Sequence, residues 1–314
     1  MVDSKQQWKA WLYLSPAIVL LLIFTVWPII NTVSIAFMEG YNALGVLSGA
    51  QFNFGFGNFI SVLTADDFIT CLVNTMLLTV LTVPLSTLLA LLIAVALNAI
   101  KPLQKFLQTI FFLPYVTNSI AIGMVFAAMF NIIGLSPDGM RAESWGIINN
   151  VIMFFGGEPI NWINAQSGYW ANIAVMTIYI IWNALPFKIL ILLGGLQSVN
   201  KQYYDAAKID STPKWRVFTR ITVPLLSPMI AYVVITGFIG GFKEYTSIVG
   251  IFGEGMQPPG ASVGTPVLQT MVGYIYDNLG NAEGIASAAA LLLFLLIFAV
   301  TLVNLAVSKK KTHY

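Results

Sequence analysis

Three groups of ionisable residues stand out in this chain because almost everything around them is apolar. Residues 203–218, YYDAAKIDSTPKWRVF, carry Asp205, Lys208, Asp210, Lys214 and Arg216. Lys188 and the adjacent Lys243–Glu244 sit inside long apolar runs, and Asp66–Asp67 form a carboxylate pair. Paired carboxylates do acid–base work only within reach of a reacting group. No base, nucleophile or metal ligand stands near Asp66–Asp67, so the pair reads as a solvated turn. His313 is the sole histidine and Cys71 the sole cysteine, which excludes a His/Cys metal cluster and an intrachain disulfide. There is no G-x-x-x-x-G-K-[ST] motif and no Gly-Lys pair, so the chain has no P-loop to cradle ATP phosphates. The chemistry left to these residues is recognition and docking.

The elements that position them must live in lipid. Of the 314 residues, 58% are hydrophobic and 9% charged, against roughly 25% charged in a soluble domain. Continuous apolar runs of about 20 residues predict transmembrane helices, whereas a membrane barrel would show alternating segments of about ten. Six runs are present, at about 11–37, 72–98, 107–131, 171–195, 224–252 and 284–308. The first is too long for a signal peptide and lacks a small-residue cleavage site, so it is expected to be retained. Twelve of the fifteen basic residues fall on one side if six spans alternate: Lys5, Lys9, Lys101, Lys105, Lys201, Lys208, Lys214, Arg216, Arg220 and Lys309–Lys311. Arg141 falls on the other side, with most of the acidic residues, Asp138 among them. The positive-inside rule then predicts cytoplasmic termini. The expected division is residues 1–70 as a first span and outer loop, 71–308 as a five-helix core with a cytoplasmic loop at about 200–223, and 309–314 as a basic tail.

Pro84, Pro114 and Pro186 lie inside apolar runs, where each removes a helix hydrogen bond. Gly237, Gly240 and Gly241 either break the fifth run or let helices pack closely. A solute path needs polar groups matched to the ligand and a flat apolar surface. Asn118 near the middle of the third run, and Tyr179, Trp182 and Asn183 in the fourth, are candidates; helix packing would also account for each. Lys243, Glu244 and Tyr245 in the fifth run are candidates for the path or for an outer interface. Lys188 is expected to snorkel towards the cytoplasmic interface.

The stretch 203–218 predicts two short helices. Asp205 suits a helix start, and Ala206–Ala207 are strong helix formers with little bulk, open to close approach. Ser211-Thr212-Pro213 then ends one helix and begins another, with Ser/Thr as cap and Pro at the first position. In the second, Trp215, Phe218 and Ile221 recur at helical spacing, and the helix leads to Pro224. A basic topology anchor and a docking helix both fit this pattern.

The stretch YYDAAKIDSTPKWRVFTRITVPLLSP resembles the EAA loop of binding-protein-dependent ABC importer permeases. Asp205-Ala206-Ala207 matches the opening Glu-Ala-Ala, Asp210 the acid, Phe218 the aromatic, and Ile221, Pro224 and Pro228 the closing Ile-x-x-Pro-x-x-x-Pro. Asp205 stands where Glu is usual and Ser211 where Gly is usual; a need for positive φ at that position would make Ser less comfortable. WGIINNVIMFFGGEPINWI and IWNALPFKILILLGGLQSV keep the order of the carbohydrate-uptake branch, so that the resemblance covers roughly residues 70–305.

That resemblance implies an all-α membrane protein with six transmembrane helices, the type I ABC importer permease fold. It implies a bacterial cytoplasmic membrane and a sugar or oligosaccharide as solute, moved by alternating access. The implied partners are a second permease subunit, two copies of a cytoplasmic ATPase and an extracytoplasmic solute-binding protein; no nucleic acid is expected. ATP and Mg would be bound by the ATPase, and this chain would hold no cofactor and catalyse nothing. The loop residues Tyr204, Asp205, Ala206, Ala207, Lys208, Asp210 and Ser211 would form the coupling helix seated on the ATPase. A permease of the same architecture for another solute remains open. So does an ion-coupled carrier, although no internal repeat of the kind common in carriers is visible.

Overall fold

The computed structural model describes residues 7–100, 104–134, 143–165, 167–258 and 268–311. Lys5, Lys101, Asp138, Arg141 and His313, named above, lie outside these residues. In chain order the helices are α1 (Gln7–Leu21), α2 (Trp27–Ala36), α3 (Ala43–Leu47), α4 (Gly57–Thr64), α5 (Asp66–Ala99), α6 (Gln104–Val116) and α7 (Ser119–Phe130). A two-stranded antiparallel pair, β1 (Ile132–Ile133) and β2 (Ser144–Trp145), precedes α8 (Ile147–Phe154). There follow α9 (Tyr169–Ser198), α10 (Lys201–Ile209), α11 (Lys214–Val217), α12 (Val223–Leu225), α13 (Ser227–Phe242), α14 (Thr246–Phe252), α15 (Met271–Asn278) and α16 (Glu283–Lys311).

Among the described residues, four helical stretches are long and apolar enough to cross a membrane: Trp8–Ala36, Asp66–Ala99, Tyr169–Ser198 and Glu283–Ser308. The pair Lys214–Leu225 and Ser227–Phe242, bent by 68°, makes a fifth if it is counted as one broken span. The third apolar run departs from expectation. It breaks at Thr117–Asn118 into α6 and α7, and α7 at 12 residues spans only about 18 Å. The cause is local: Asn118 is extended (φ −67°, ψ 121°), and its Oδ1 accepts the Ile120 and Ala121 amides as an N-cap.

Prolines shape the other irregularities. A π turn at Leu22–Val26 precedes Pro28, and another at Phe218–Thr222 precedes Pro224. Each proline ring clashes with the carbonyl four residues back, and the wider π turn gives it room. The bend at Leu226 is followed by Pro228 in the first turn of α13. By contrast, Pro84 and Pro186 lie inside continuous helices.

The chain divides into two compact units, Met1–Ile69 with Tyr274–Phe294 and Thr70–Gly273 with Leu295–Tyr314. In the first, Asn58 is buried and ties the chain together: its Nδ2 donates to Ala36 O and Met38 O, and its Oδ1 accepts from the Gly40 amide. The second holds two apolar clusters. One gathers Leu78, Phe130, Met176, Tyr179, Ile248 and Ile251; the other Ala90, Ala94, Leu192, Leu193, Leu226 and Val233. Helices α7 and α14 touch backbone to backbone, since a methyl group on Gly123 would lie 2.7 Å from Gly250 Cα.

The glycines of the fifth run do not break the helix, and two of the three serve packing. Gly237 and Gly241 lie within α13 and would carry their methyl groups into Val83 and Lys188, and into Thr79. The break comes after Phe242, at Lys243–Tyr245.

Candidate functional site

Within the second unit, α5, α6, α9 and α13 enclose a cavity of about 300 Å³. Thr82 and Ser86 of α5, Tyr115 of α6, Asn183 and Lys188 of α9, and Thr236 of α13 line it, with Glu244 just beyond α13. Phe187 and Tyr115 stack with ring centroids 5.9 Å apart on its wall. Hydroxyls, an amide, two charges of opposite sign and aromatic faces are the chemistry that holds a small polar solute.

Lys188 does not snorkel. It is 4% exposed, and its Nζ donates to Ser86 Oγ (2.7 Å), Thr87 Oγ1 (3.0 Å) and Val83 O (3.2 Å). Three acceptors on one turn of α5 take all three ammonium protons, so the side chain has no need of the interface. Glu244 has its Oε1 accepting the Ser247 amide at 3.2 Å, while its backbone carbonyl accepts from Thr270 Oγ1 at 2.8 Å. Both carboxylate and ammonium therefore face one cavity.

The other path candidates lie elsewhere. Asn118 caps α7. Tyr179 is fully buried and donates its hydroxyl to Ser119 O, with Phe126 edge-on at 5.0 Å. Trp182 packs on the same Phe126 at 5.3 Å. Lys243 is exposed at the end of α13, and Tyr245 packs against the first apolar cluster. Asn183 and Glu244 are thus the two sequence candidates on the cavity wall. Ser86, Tyr115, Thr236 and Lys188 were missed as wall residues; a Thr/Ser cluster in a lipid-spanning run is the signal that points to Ser86.

The loop after α9 forms a second feature. Asn200 caps α10 by accepting the Gln202 amide (3.0 Å). The helix ends in a Schellman turn: the Ser211 amide donates to Lys208 O (3.0 Å) and the Thr212 amide to Ala207 O (2.9 Å). Ser211 itself has φ +50°, the left-handed conformation for which glycine is the natural residue. The following helix starts with Pro213 as its N-cap, with no side-chain capping bond, where a Ser/Thr cap was expected.

The alanine pair divides between two faces. Ala207 is buried and, with Tyr204, Val95, Leu196 and Phe218, lines a cavity of about 380 Å³ under the loop. The Tyr204 hydroxyl meets Thr222 Oγ1 at 3.3 Å, fastening α10 to the π turn. At 100° per residue, the face opposite Tyr204 and Ala207 holds Gln202, Asp205, Ala206 and Ile209, all exposed. Ile209 is 85% exposed, an apolar residue displayed on a polar helix. Asp205 and Lys208 form an exposed i,i+3 ion pair at 2.9 Å, which contributes little to stability.

Apolar spanning helices, a polar cavity among them and an exposed, firmly capped helix in a loop define a membrane transport subunit. The family model for the binding-protein-dependent transport system inner membrane component matches residues 86–313, and the chain belongs to that family. It is 29% identical to the lactose transport system permease protein LacF of Rhizobium radiobacter, covering 94% of this chain and 91% of that one. It is 30% identical to the sulfoquinovosyl glycerol transport system permease protein SmoG of Agrobacterium fabrum, covering 99% and 97%. The crystal structure of a bacterial ABC transporter involved in the import of the acidic polysaccharide alginate has the same fold, with a TM-score of 0.76, 22% identity and 98% of both chains covered. The same fold recurs in the alginate transporter in complex with an alginate pentasaccharide-bound periplasmic protein (TM-score 0.74, 23% identity, 98% and 96% covered). The chain is a permease subunit of the ABC importer type, and its work is transport, not catalysis.

Proposed function

We propose that this chain forms half of the membrane pore of a bacterial importer for a saccharide or glycoside. LacF and SmoG carry names of that solute class, as does the arabinooligosaccharide permease protein AraP of Bacillus subtilis, to which the chain is 28% identical. In this reading α6 and α7 together make the third crossing and the bent α11–α13 the fifth, for six in all with both termini cytoplasmic. A second permease completes the pore, and a binding protein delivers solute from outside. Two copies of an ATPase, holding ATP and Mg, sit against the loop. The segments 1–70 and 71–308 act as an accessory first span and a working core.

The observation that carries the reading is α10. Its outward face offers Ala206 and Ile209 between Gln202 and Asp205, a small apolar patch suited to a groove. Its inward face, Tyr204 and Ala207, is fastened to the spans, so a push on the helix reaches them. The binding chemistry resides in the cavity of Asn183, Lys188 and Glu244.

The test is reconstitution with and without companion subunits. Uptake is expected only from the complete assembly, with ATP hydrolysis stimulated by loaded binding protein. Ala206→Glu places an unpaired charge in the docked face, costing several kcal/mol, and uptake is expected to fall more than about tenfold while the chain still inserts. Uptake by the chain alone would refute the reading and favour an ion-coupled carrier.

A further inference from the structure

We propose that the saccharide taken by the cavity is anionic, carrying a carboxylate, sulfonate or phosphate, and that Lys188 selects it. The proposal rests on the saccharide reading above and names the class within it. A buried ammonium is costly unless its charge, as well as its protons, is met. The protons of Lys188 are met by three neutral oxygens, Ser86 Oγ, Thr87 Oγ1 and Val83 O. The charge is not: no carboxylate of the described residues lies within 4.0 Å of its Nζ. The ammonium is 4% exposed yet sits on the wall of a cavity, so its positive field falls on whatever enters.

Glycine leaves room for the ammonium itself. Gly237 faces Lys188, and a methyl group there would lie 3.2 Å from Nζ. Among the described residues on the cavity wall the one carboxylate is Glu244, which lies past the end of α13 at Phe242, itself five residues and about 8 Å along the helix from Gly237. Its Oε1 already accepts the Ser247 amide. The ammonium is thus suited to a negative group, and Asn183 and Thr236 on the same wall to hydroxyls. The volume of about 300 Å³ is at the low end for small-molecule sites, which fits a short segment of a saccharide chain. The Val83 carbonyl, the longest of the three bonds and shared with the Thr87 hydroxyl, is the partner an incoming anion displaces.

The experiment uses the assembled complex and matched sugars differing by one carboxylate: glucose and glucuronate, galactose and galacturonate, mannose and mannuronate. Affinity is measured by titration calorimetry at low salt, with and without Lys188→Gln. In at least one pair the acid is expected to bind about tenfold or more tightly than its neutral partner, with the advantage shrinking at high salt. Lys188→Gln should erase that advantage, bringing the acid's affinity to within about twofold of its neutral partner's in the same variant. The variant keeps Ser86 and Thr87 bonded to Thr82 O and Val83 O within α5, and the wild-type comparison needs no variant. Neutral sugars binding as well as acids in every pair would overturn the proposal and leave the saccharide reading standing. An acid preference that survives Lys188→Gln would overturn the role of Lys188. Binding of no sugar at all would overturn both readings.

Discussion

Replacing Gly123 by alanine tests a close backbone-to-backbone contact between two helices, α7 and α14. The added methyl group would lie 2.7 Å from Gly250 Cα and 2.8 Å from its carbonyl carbon. Carbon atoms pack at about 3.5–4.0 Å, so α7 and α14 must part by about 1 Å. The obstruction is backbone, which cannot rotate aside as a side chain would. Overpacking of this kind costs about 1–3 kcal/mol. A Gly→Ala change inside a helix also gains about 1 kcal/mol in helix propensity, so one variant alone mixes two effects. Gly240 supplies the control. It lies within α13, and a methyl group there meets nothing within 4 Å. The difference between Gly123→Ala and Gly240→Ala isolates the overpacking term, and about 1–3 kcal/mol corresponds to several degrees in Tm. Cys71 provides the readout: it is the only cysteine and 1% exposed, so a thiol-reactive dye reports its exposure on heating. Gly240→Ala should hold or raise the midpoint, and Gly123→Ala should fall several degrees below it. Equal midpoints would refute the argument that these helices are held at backbone contact.

Two further changes test the loop and the break in the third run. Ser211→Gly relieves a left-handed residue, worth about 1–2 kcal/mol, against about 0.5–1 kcal/mol of added chain entropy. The net gain of about 0.5–1 kcal/mol should slow exchange of the Thr212 amide, which donates to Ala207 O, by about two- to fivefold; faster exchange would contradict the observed turn. Asn118→Ala removes the acceptor of two α7 amides and should cost about 0.5–2 kcal/mol, lowering the Cys71 labelling midpoint, whereas Asn118→Asp should retain most of it.

Four of the six expected spans were legible, because a long apolar run in lipid has few structural solutions. Ser211 was legible through its place in the motif, where glycine signals a positive φ that the backbone indeed adopts. The break at Asn118 carried a readable sign too, an asparagine able to cap, but the surrounding apolar run outweighed it. Lys188 was not legible. Its acceptors Ser86, Thr87 and Val83 lie about a hundred residues away, and only the register of α5 against α9 brings them together. The cavity escaped for the same reason: its wall is drawn from four helices, and helices apolar all round give no stripe to say which side faces in. The split of Ala206 from Ala207 depends likewise on which side of α10 Tyr204 anchors, a tertiary fact.

One element links the loop to the cavity. Helix α13 begins at the 68° bend after Leu226, next to the motif prolines Pro224 and Pro228. It carries Thr236, Gly237, Gly240 and Gly241 along the cavity wall and hands on to Glu244. Near its start, Gly195 of α9 lies so close that a methyl group would strike Met229 and Leu226. That contact leaves little room for sliding at the bend, so a displacement of the α10–α12 segment would reach α13 as a tilt about its first turn. Sixteen residues make α13 about 24 Å long, and a tilt of a few degrees then moves its far end by an ångström or more. At Gly237, about 15 Å along the helix, the shift would be about two-thirds as large and would alter the room around the Lys188 ammonium, where a methyl group would already be only 3.2 Å away. The motif prolines therefore bear on the cavity as well as on the loop, because they flank the bend that sets the angle of α13.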